Sequence, residues 1–150
     1  MKATCRAILC FLLLLPTAHA AAEGAIYIVV NKGAKVEKLD DSELRNIFMT
    51  KRTQWDDGQD VIALNLPTSD TTRQGFDAAI LGLDPDRVQR YWIDRKIRGG
   101  NRAPAEAPSA AIILKAVSQS PNAIGYVEAA QAPSNVKVVA RIVEGQVLAP

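Results

Sequence analysis

Residues 61–76 read Val61-Ile-Ala-Leu-Asn-Leu-Pro-Thr-Ser-Asp-Thr-Thr-Arg-Gln-Gly-Phe76, a sequence that predicts a strand, a turn and a helix in succession. The run from Val61 to Leu66 is apolar and of strand length, and Pro67 ends it. Thr71 or Thr72 is then expected to cap a helix. A helix start exposes backbone N–H groups without partners and carries the positive end of the helix dipole. The stretch therefore brings hydroxyl groups to a place where an oxyanion can bind.

Strand and helix patterns alternate along the rest of the chain. A short β-branched run at 26–30 predicts a buried strand, and Gly99-Gly100 opens an irregular stretch to 108 that predicts a surface loop. This alternation predicts an α/β fold with a mostly parallel or mixed sheet flanked by helices. Further strands are predicted at 124–127, 136–143 and 147–148. Helices are predicted to start at Asp40, Asp84-Pro85 and Ser109. Gly82 is predicted to end the helix of the opening stretch.

The helix start at Asp40 is specified in most detail. Asp40 as N-cap and Glu43 at the third helical position form the pattern of a capping box. Leu39 and Leu44 occupy the positions of a hydrophobic staple around it. The sequence therefore predicts that this helix begins at one defined residue.

The first twenty residues have the pattern of a cleaved signal peptide. Lys2 and Arg6 precede an apolar run, and Ala18-His19-Ala20 fits a small-x-small cleavage site. We therefore predict a signal peptide at 1–20, a single mature domain at 21–150 and a periplasmic or secreted protein without a membrane span after cleavage. Both cysteines and the only histidine of the chain lie within the predicted signal peptide.

Without cysteine and histidine, the mature chain lacks several kinds of chemistry. Ser-His-Asp and Cys-His catalysis are excluded, as are zinc and copper sites built on these residues, whereas carboxylate-only calcium or magnesium sites remain possible. No catalytic residues, metal ligands or cofactor are predicted. The chain has 18 Lys and Arg against 16 Asp and Glu, and loss of Lys2 and Arg6 leaves 16 of each. Binding of nucleic acid through net charge is therefore not expected.

The turn of the opening stretch is the candidate ligand site, and it has two interpretations. In the first, the turn holds an oxyanion through hydroxyl groups, backbone N–H groups and the positive charge of Arg73. In the second, it is a plain helix cap in which Thr71 and Gln74 form a capping box. The predicted ligand-binding residues are Ser69, Asp70, Thr71, Thr72 and Arg73.

Other motifs have a structural explanation as well as a functional one. Residues 86–102 carry a net charge of +4, which would steer anions or dock an acidic partner, but such a run is also typical of a solvated helix face. Residues 56–60 are rich in Asp but lack the spacing of an EF-hand. Trp55 and Trp92 are candidates for a ligand surface or for core anchors.

Several short patterns together resemble one family. In chain order these patterns are Leu44-Arg-Asn-Ile-Phe48, Trp55-Asp-Asp-Gly58, Arg73-Gln-Gly-Phe76, Tyr91-Trp92, Gly99-Gly100 and Ala123-Ile-Gly-Tyr-Val127. Their order and spacing resemble the substrate-binding proteins of phosphate ABC transporters, within the type 2 periplasmic-binding-protein group. The resemblance covers nearly all of residues 21–150 and implies a short member with a single lobe, since full-length members are about twice this size and close two lobes on the ligand.

The chain departs from the family at the phosphate loop. The family pattern is similar to Ser-Gly-Thr with an arginine upstream, whereas this chain has Asp70-Thr71-Thr72 with Arg73 after them. Thr71 brings a Cβ where glycine allows close backbone approach to an oxyanion. Asp70 brings a negative charge that opposes a phosphate dianion unless the carboxylate accepts a proton from the phosphate.

The resemblance implies an exported, non-catalytic binding protein whose ligand is phosphate or a related oxyanion. An envelope or transporter protein is the implied macromolecular partner. The alternative is a single-lobe module that has lost ligand binding and acts in protein interaction or regulation at the cell envelope. The missing second lobe and the missing glycine favour this alternative, because one lobe does not enclose a small anion on all sides.

Overall fold

A computed structural model describes residues 24–132 and 134–150. The predicted signal peptide at 1–20 lies outside the described residues. None of the helices described is long and apolar enough to cross a membrane.

Strands and helices follow the order that the sequence predicts. A π-helical turn at Asp77–Leu81 continues the second helix, and a short 3₁₀ turn at Ala129–Gln131 follows the fourth strand. The elements are β1 (Ile26–Asn31), α1 (Asp41–Phe48), β2 (Ile62–Asn65), α2 (Thr71–Phe76), α3 (Pro85–Ile97), β3 (Ala105–Glu106), α4 (Ala110–Gln119), β4 (Ala123–Glu128), β5 (Val136–Val143) and β6 (Gln146–Leu148).

The strands form one mixed sheet in the order β3-β2-β4-β1-β5-β6. β2 is parallel to both β3 and β4, whereas β1 is antiparallel to β4 and β5, and β6 is antiparallel to β5. The predicted α/β class is therefore confirmed, and the sheet is mixed. Its parallel part places the carboxyl ends of β2, β3 and β4 at one edge, where open α/β sheets bind their ligands.

Helices cover both faces of the sheet, as two neighbouring residues of β4 show. Tyr126 is fully buried and stacks on Phe76 with ring centroids 3.9 Å apart, while Phe48 of α1 meets both rings edge to face. A Cβ at Gly125 would collide with Ile113 of α4. Because successive strand residues point to opposite faces, α1 and α2 lie on one face and α4 on the other. The apolar core therefore fills both sides of the sheet.

Two of the predicted helix starts are confirmed in detail. The carboxylate of Asp40 accepts the backbone N–H of Glu43 at 2.8 Å, and the carboxylate of Glu43 accepts the N–H of Asp40 at 3.0 Å. At α3, Asp84 accepts the N–H of Arg87 at 2.9 Å, and Pro85 occupies the first helical position. Both helices therefore begin where the sequence places them.

Three expectations need correction. The N-cap of α2 is Asp70, not Thr71 or Thr72, because the Asp70 carboxylate accepts the N–H groups of Thr72 and Arg73 at 2.8 and 3.3 Å. The capping box of Thr71 and Gln74 is therefore not formed. Ser109 is the N-cap of α4, where the sequence predicts that this helix starts, although its side chain makes no capping bond. The predicted loop at 99–108 contains β3, which extends the sheet beside β2.

Candidate functional site

A cleft of about 520 Å³ opens at the carboxyl ends of β2 and β3. We call it the strand-end cleft. Asn65 ends β2 and Glu106 ends β3, and both line it. Its other walls come from the β2–α2 turn, from α3 and from the segment before β3: Thr68, Ser69, Arg73, Pro85, Asp86, Val88, Gln89, Trp92, Ile93, Lys96, Ala103 and Pro104.

The predicted ligand-binding residues separate into two groups in the structure. Ser69 and Arg73 line the strand-end cleft, whereas Asp70, Thr71 and Thr72 are not among its lining residues. The Asp70 carboxylate itself occupies the start of α2, where the sequence analysis placed an external anion. The hydroxyl of Thr72 donates to Glu128 at 3.3 Å, at the end of β4. Side chains in the cleft, rather than the helix start, are therefore free to meet a ligand.

Arg73 is buried at the base of this site, with only 4% of its surface exposed. Its Nε donates to Oδ2 of Asp77 at 2.6 Å, and its Nη1 donates to the carbonyl of Leu66 at 2.9 Å. The other terminal nitrogen, Nη2, takes no part in these two bonds. A buried guanidinium held by two fixed acceptors has one defined position and carries its charge where water screens it little.

The carboxylate of Asp77, the ion-pair partner of Arg73, is buried as well. Only one of its carboxylate oxygens is paired, because Oδ1 is buried and has no hydrogen-bond partner among the described residues. Burial raises the pKa of Asp77, and the charge of Arg73 opposes that increase in part. The Asp77 carboxylate therefore meets Arg73 through a single oxygen, Oδ2.

A second buried network fixes the end of β2. The hydroxyl of Tyr126 accepts the backbone N–H of Leu66 and donates to Oδ1 of Asn65, both at 3.3 Å. Burial raises the pKa of Tyr126, so the phenol stays protonated and keeps its role as donor. The strand that delivers Asn65 and Leu66 to the site is therefore held by side-chain bonds from β4.

The cleft wall formed by α3 includes two residues, Lys96 and Ile93, that the sequence does not single out as ligand residues, and Trp92, which it leaves open between a ligand surface and a core anchor. Lys96 brings a second positive charge, while Trp92 and Ile93 bring apolar surface. The signal that could have found them was the basic, Trp-containing segment 86–102, which the sequence leaves open between a functional and a solvated face. Two exposed carboxylates, Asp86 and Glu106, also line the cleft and limit its net positive charge.

A second cavity, of about 490 Å³, lies at the opposite end of the parallel strands, next to Asn122 before β4 and the loop after β1. Its charges are largely paired: Arg52 contacts Glu43 at 3.4 Å and Asp56 at 2.7 Å, and Lys35 contacts Asp57 at 3.5 Å. The indole N–H of Trp55 donates to the carbonyl of Asn122 at 3.0 Å, which fixes this tryptophan as a structural anchor. The side chains of Arg52 and Lys35 are therefore engaged within the protein.

Among the described residues there is no cluster of three or more His, Cys, Asp or Glu side chains that could hold a metal ion. The Asp-rich turn at 56–60 instead uses its carboxylates within the protein. Asp56 pairs with Arg52, Asp57 accepts the backbone N–H of Gln59 at 3.2 Å, and Asp60 accepts from the side chain of Gln54 at 3.3 Å.

The same fold occurs in structures of phosphate-transport proteins. An ABC-type phosphate transport receptor from Vibrio cholerae superposes with a TM-score of 0.62 at 18% identity, over 77% of this chain and 45% of that chain. The chain has the fold of about half of such a receptor. This likeness confirms the fold that the sequence resemblance implies.

Two further structures have the same fold. A phosphate-bound structure from Clostridium perfringens, assigned to phosphate ABC transporter substrate-binding proteins, gives a TM-score of 0.62 at 18% identity, over 81% of this chain and 46% of that chain. PstS from Borrelia burgdorferi gives 0.52 at 13% identity, over 69% and 40%. The chain thus spans less than half the length of the structures it matches. No protein-family model and no curated protein matches its sequence.

Proposed function

We propose that the protein is an exported, non-catalytic binding protein that holds phosphate or a related oxyanion in the strand-end cleft. The observation that carries the proposal is Arg73, a buried guanidinium that lines the cleft while Asp77 and Leu66 hold it in place. The named function of the structural neighbours, phosphate transport, supports the same ligand class.

The proposed contacts use side chains rather than the start of α2. Nη2 of Arg73 and the hydroxyl of Ser69 donate to the anion, and Lys96 adds a second charge from α3. Asp70 stays in its capping role, because its carboxylate already accepts two backbone N–H groups. The proposed contacts bind and orient an anion and assign no residue a catalytic role.

Isothermal titration of residues 21–150 with phosphate and sulfate tests the proposal. We expect measurable heat with an affinity weakened at least threefold by Lys96→Gln, because that substitution removes one of the two cations of the cleft. Lys115→Gln on α4 is the matched control, since Lys115 is an exposed lysine outside the cleft and should leave binding unchanged. No heat at millimolar phosphate, sulfate or other oxyanion would refute the proposal.

One observation favours the alternative of a protein-interaction module at the envelope. Ile97, at the end of α3, is 77% exposed, and Ile93 on the same helix is 51% exposed. A photo-crosslinking residue at position 97 in the exporting cell tests this alternative. A single cross-linked envelope protein that disappears on Ile93→Asp but persists on Ile112→Asp, together with silent titrations, would favour interaction over ligand binding.

A further inference from the structure

The strand-end cleft is much larger than an inorganic oxyanion. Its volume is about 520 Å³, whereas one water occupies about 30 Å³ of the liquid and a phosphate ion, with five heavy atoms, only a few times that. Cavities of about 300–1,000 Å³ are typical of sites for organic ligands of many atoms. A free phosphate at Arg73 would therefore leave most of the cleft to water.

The chemistry of the cleft is divided between its two sides. Arg73 and Ser69 come from the β2–α2 segment and supply charge and a hydroxyl group. The apolar surface of the cleft is concentrated on the facing wall, where α3 presents Val88 and Trp92 one turn apart and Ile93 next to them, beside the polar side chains of Asp86, Gln89 and Lys96. Three small or ring-shaped apolar residues complete that wall: Pro85, Ala103 and Pro104.

Two features of the α3 wall lack an explanation within the domain. Ile93 is 51% exposed although it lines a concave surface. The indole N–H of Trp92 is shielded from water and has no hydrogen-bond partner in the part of the chain that the structure describes. An unpaired buried donor is destabilising, but it needs an acceptor and does not indicate an apolar ligand. Apolar surface in a cleft favours an apolar occupant, so the exposed side chain of Ile93 points to a ligand that is larger than its anionic group.

We propose that the natural ligand class is a phosphate monoester or phosphonate with a compact apolar organic group, rather than inorganic phosphate. This inference rests on the proposed function, because the anionic group would bind Arg73 and Ser69 as described above. The organic group would lie along Val88, Trp92 and Ile93. The class of ligand is thus set by the apolar residues of α3, and the charge requirement by Arg73 with Lys96.

Titration of residues 21–150 with inorganic phosphate, methyl phosphate, phenyl phosphate and phenol tests the inference. Phenyl phosphate is expected to bind at least tenfold more tightly than inorganic phosphate, a difference of about 1.4 kcal/mol. Ile93→Asn should reduce this preference to about twofold or less. Ile112→Asn, at a similarly exposed isoleucine on α4 outside the cleft, should preserve the preference. Circular dichroism melting checks that both variants are folded.

The outcomes separate this inference from the proposed function. Equal affinity for inorganic and phenyl phosphate overturns the inference and leaves oxyanion binding intact. Absence of binding to any of the phosphates overturns both. Phenol binding as tightly as phenyl phosphate overturns the inference, since the anionic group would then contribute nothing to binding of the ester. Co-sedimentation with phosphatidic-acid vesicles without binding of the soluble esters would also overturn the inference. The protein would then recognise the phosphate group of a lipid at a membrane surface rather than a soluble ester.

Discussion

Arg73 has a structural role that exists without any ligand. Its guanidinium and the Asp77 carboxylate are each about 5% exposed and meet at 2.6 Å. Removing a charged pair from water costs several kcal/mol for each ion, and mutual attraction with additional hydrogen bonds offsets that cost. The bond from Nη1 to Leu66 supplies one such addition, whereas Oδ1 of Asp77 lacks a partner. The pair therefore fixes the geometry of the site more than it stabilises the domain.

This assessment predicts an asymmetric response to substitution. Arg73→Met should lower the free energy of unfolding by about 3–5 kcal/mol, because Asp77 is left as an uncompensated buried charge. The double variant Arg73→Met, Asp77→Leu should recover most of that loss, since it removes both charges and keeps apolar volume. Urea unfolding followed by circular dichroism measures both values. A double variant that is less stable than Arg73→Met alone would contradict this account of the pair.

The sequence predicts some properties of Arg73 and not others. Its spacing of four residues from Asp77 is that of an ion pair on one helix face, so the contact between them could be predicted from the sequence. Their burial could not, since it depends on how α2 packs against the sheet. The role of Asp70 as N-cap could not be predicted from the sequence either. Asp and Thr are both good N-caps, and the choice between them depends on where the chain enters helical geometry.

At the scale of elements, the start of α1 predicts how the stability of the domain depends on pH. The backbone N–H of Glu43 and the hydroxyl of Ser42 donate to the Asp40 carboxylate, and these bonds lower its pKa. A carboxyl group whose pKa is lower in the folded state stabilises that state above its unfolded pKa, and the contribution is lost as pH falls through the folded pKa. Capping by Asp40 is therefore a property of its ionised form.

Asp40→Ala should lower the melting temperature at pH 7, and the difference from the parent should shrink as the pH falls below about 4. Asp40→Asn keeps a good capping acceptor that does not titrate, so it should be more stable than Asp40→Ala at every pH. Thermal melts between pH 2.5 and 7 measure these differences. A stability loss in Asp40→Ala that does not change with pH would rule out the ionised cap as its cause.

The contact between α4 and β4 depends on the absence of a side chain. A Cβ at Gly125 would collide with Cγ2 of Ile113, so Gly125→Ala should lower the free energy of unfolding by about 1–3 kcal/mol. Adding Ile113→Ala removes the colliding methyl group, and the double variant should lose less stability than the two single changes predict by addition. Urea unfolding of the four chains measures this coupling. Strict additivity would mean that the collision is relieved elsewhere.

Elements with strong local signals were predictable, and elements set by partners were not. The capping residues of α1 and α3 act within one turn, so the sequence alone determines where these helices begin. β3 has two residues inside a Pro-containing loop, and only its pairing with β2 makes it a strand. The π-helical turn at Asp77–Leu81 likewise follows from packing, with Ile80 and Leu81 buried by the rest of the core.

At the scale of the whole molecule, the sheet places two cavities at opposite ends of its parallel strands. The strand-end cleft combines a buried guanidinium with an apolar wall, and the cavity near Trp55 contains mostly paired charges. The walls of the cleft come from segments far apart in sequence, between residues 65 and 106. A ligand there would contact several of these segments at once and so oppose their local opening.

Hydrogen exchange with and without phenyl phosphate shows which of the two cavities binds the ligand. At about one hundred times its dissociation constant, a ligand that binds only the folded state adds about 2.7 kcal/mol of stability, so core amides that exchange by global unfolding should slow about a hundredfold. Amides of α3 and of residues 103–106 that exchange by local opening should also slow, because the ligand would suppress those openings. Protection confined to residues 33–39 and 55–59 would place the ligand in the other cavity and contradict the assignment of the strand-end cleft.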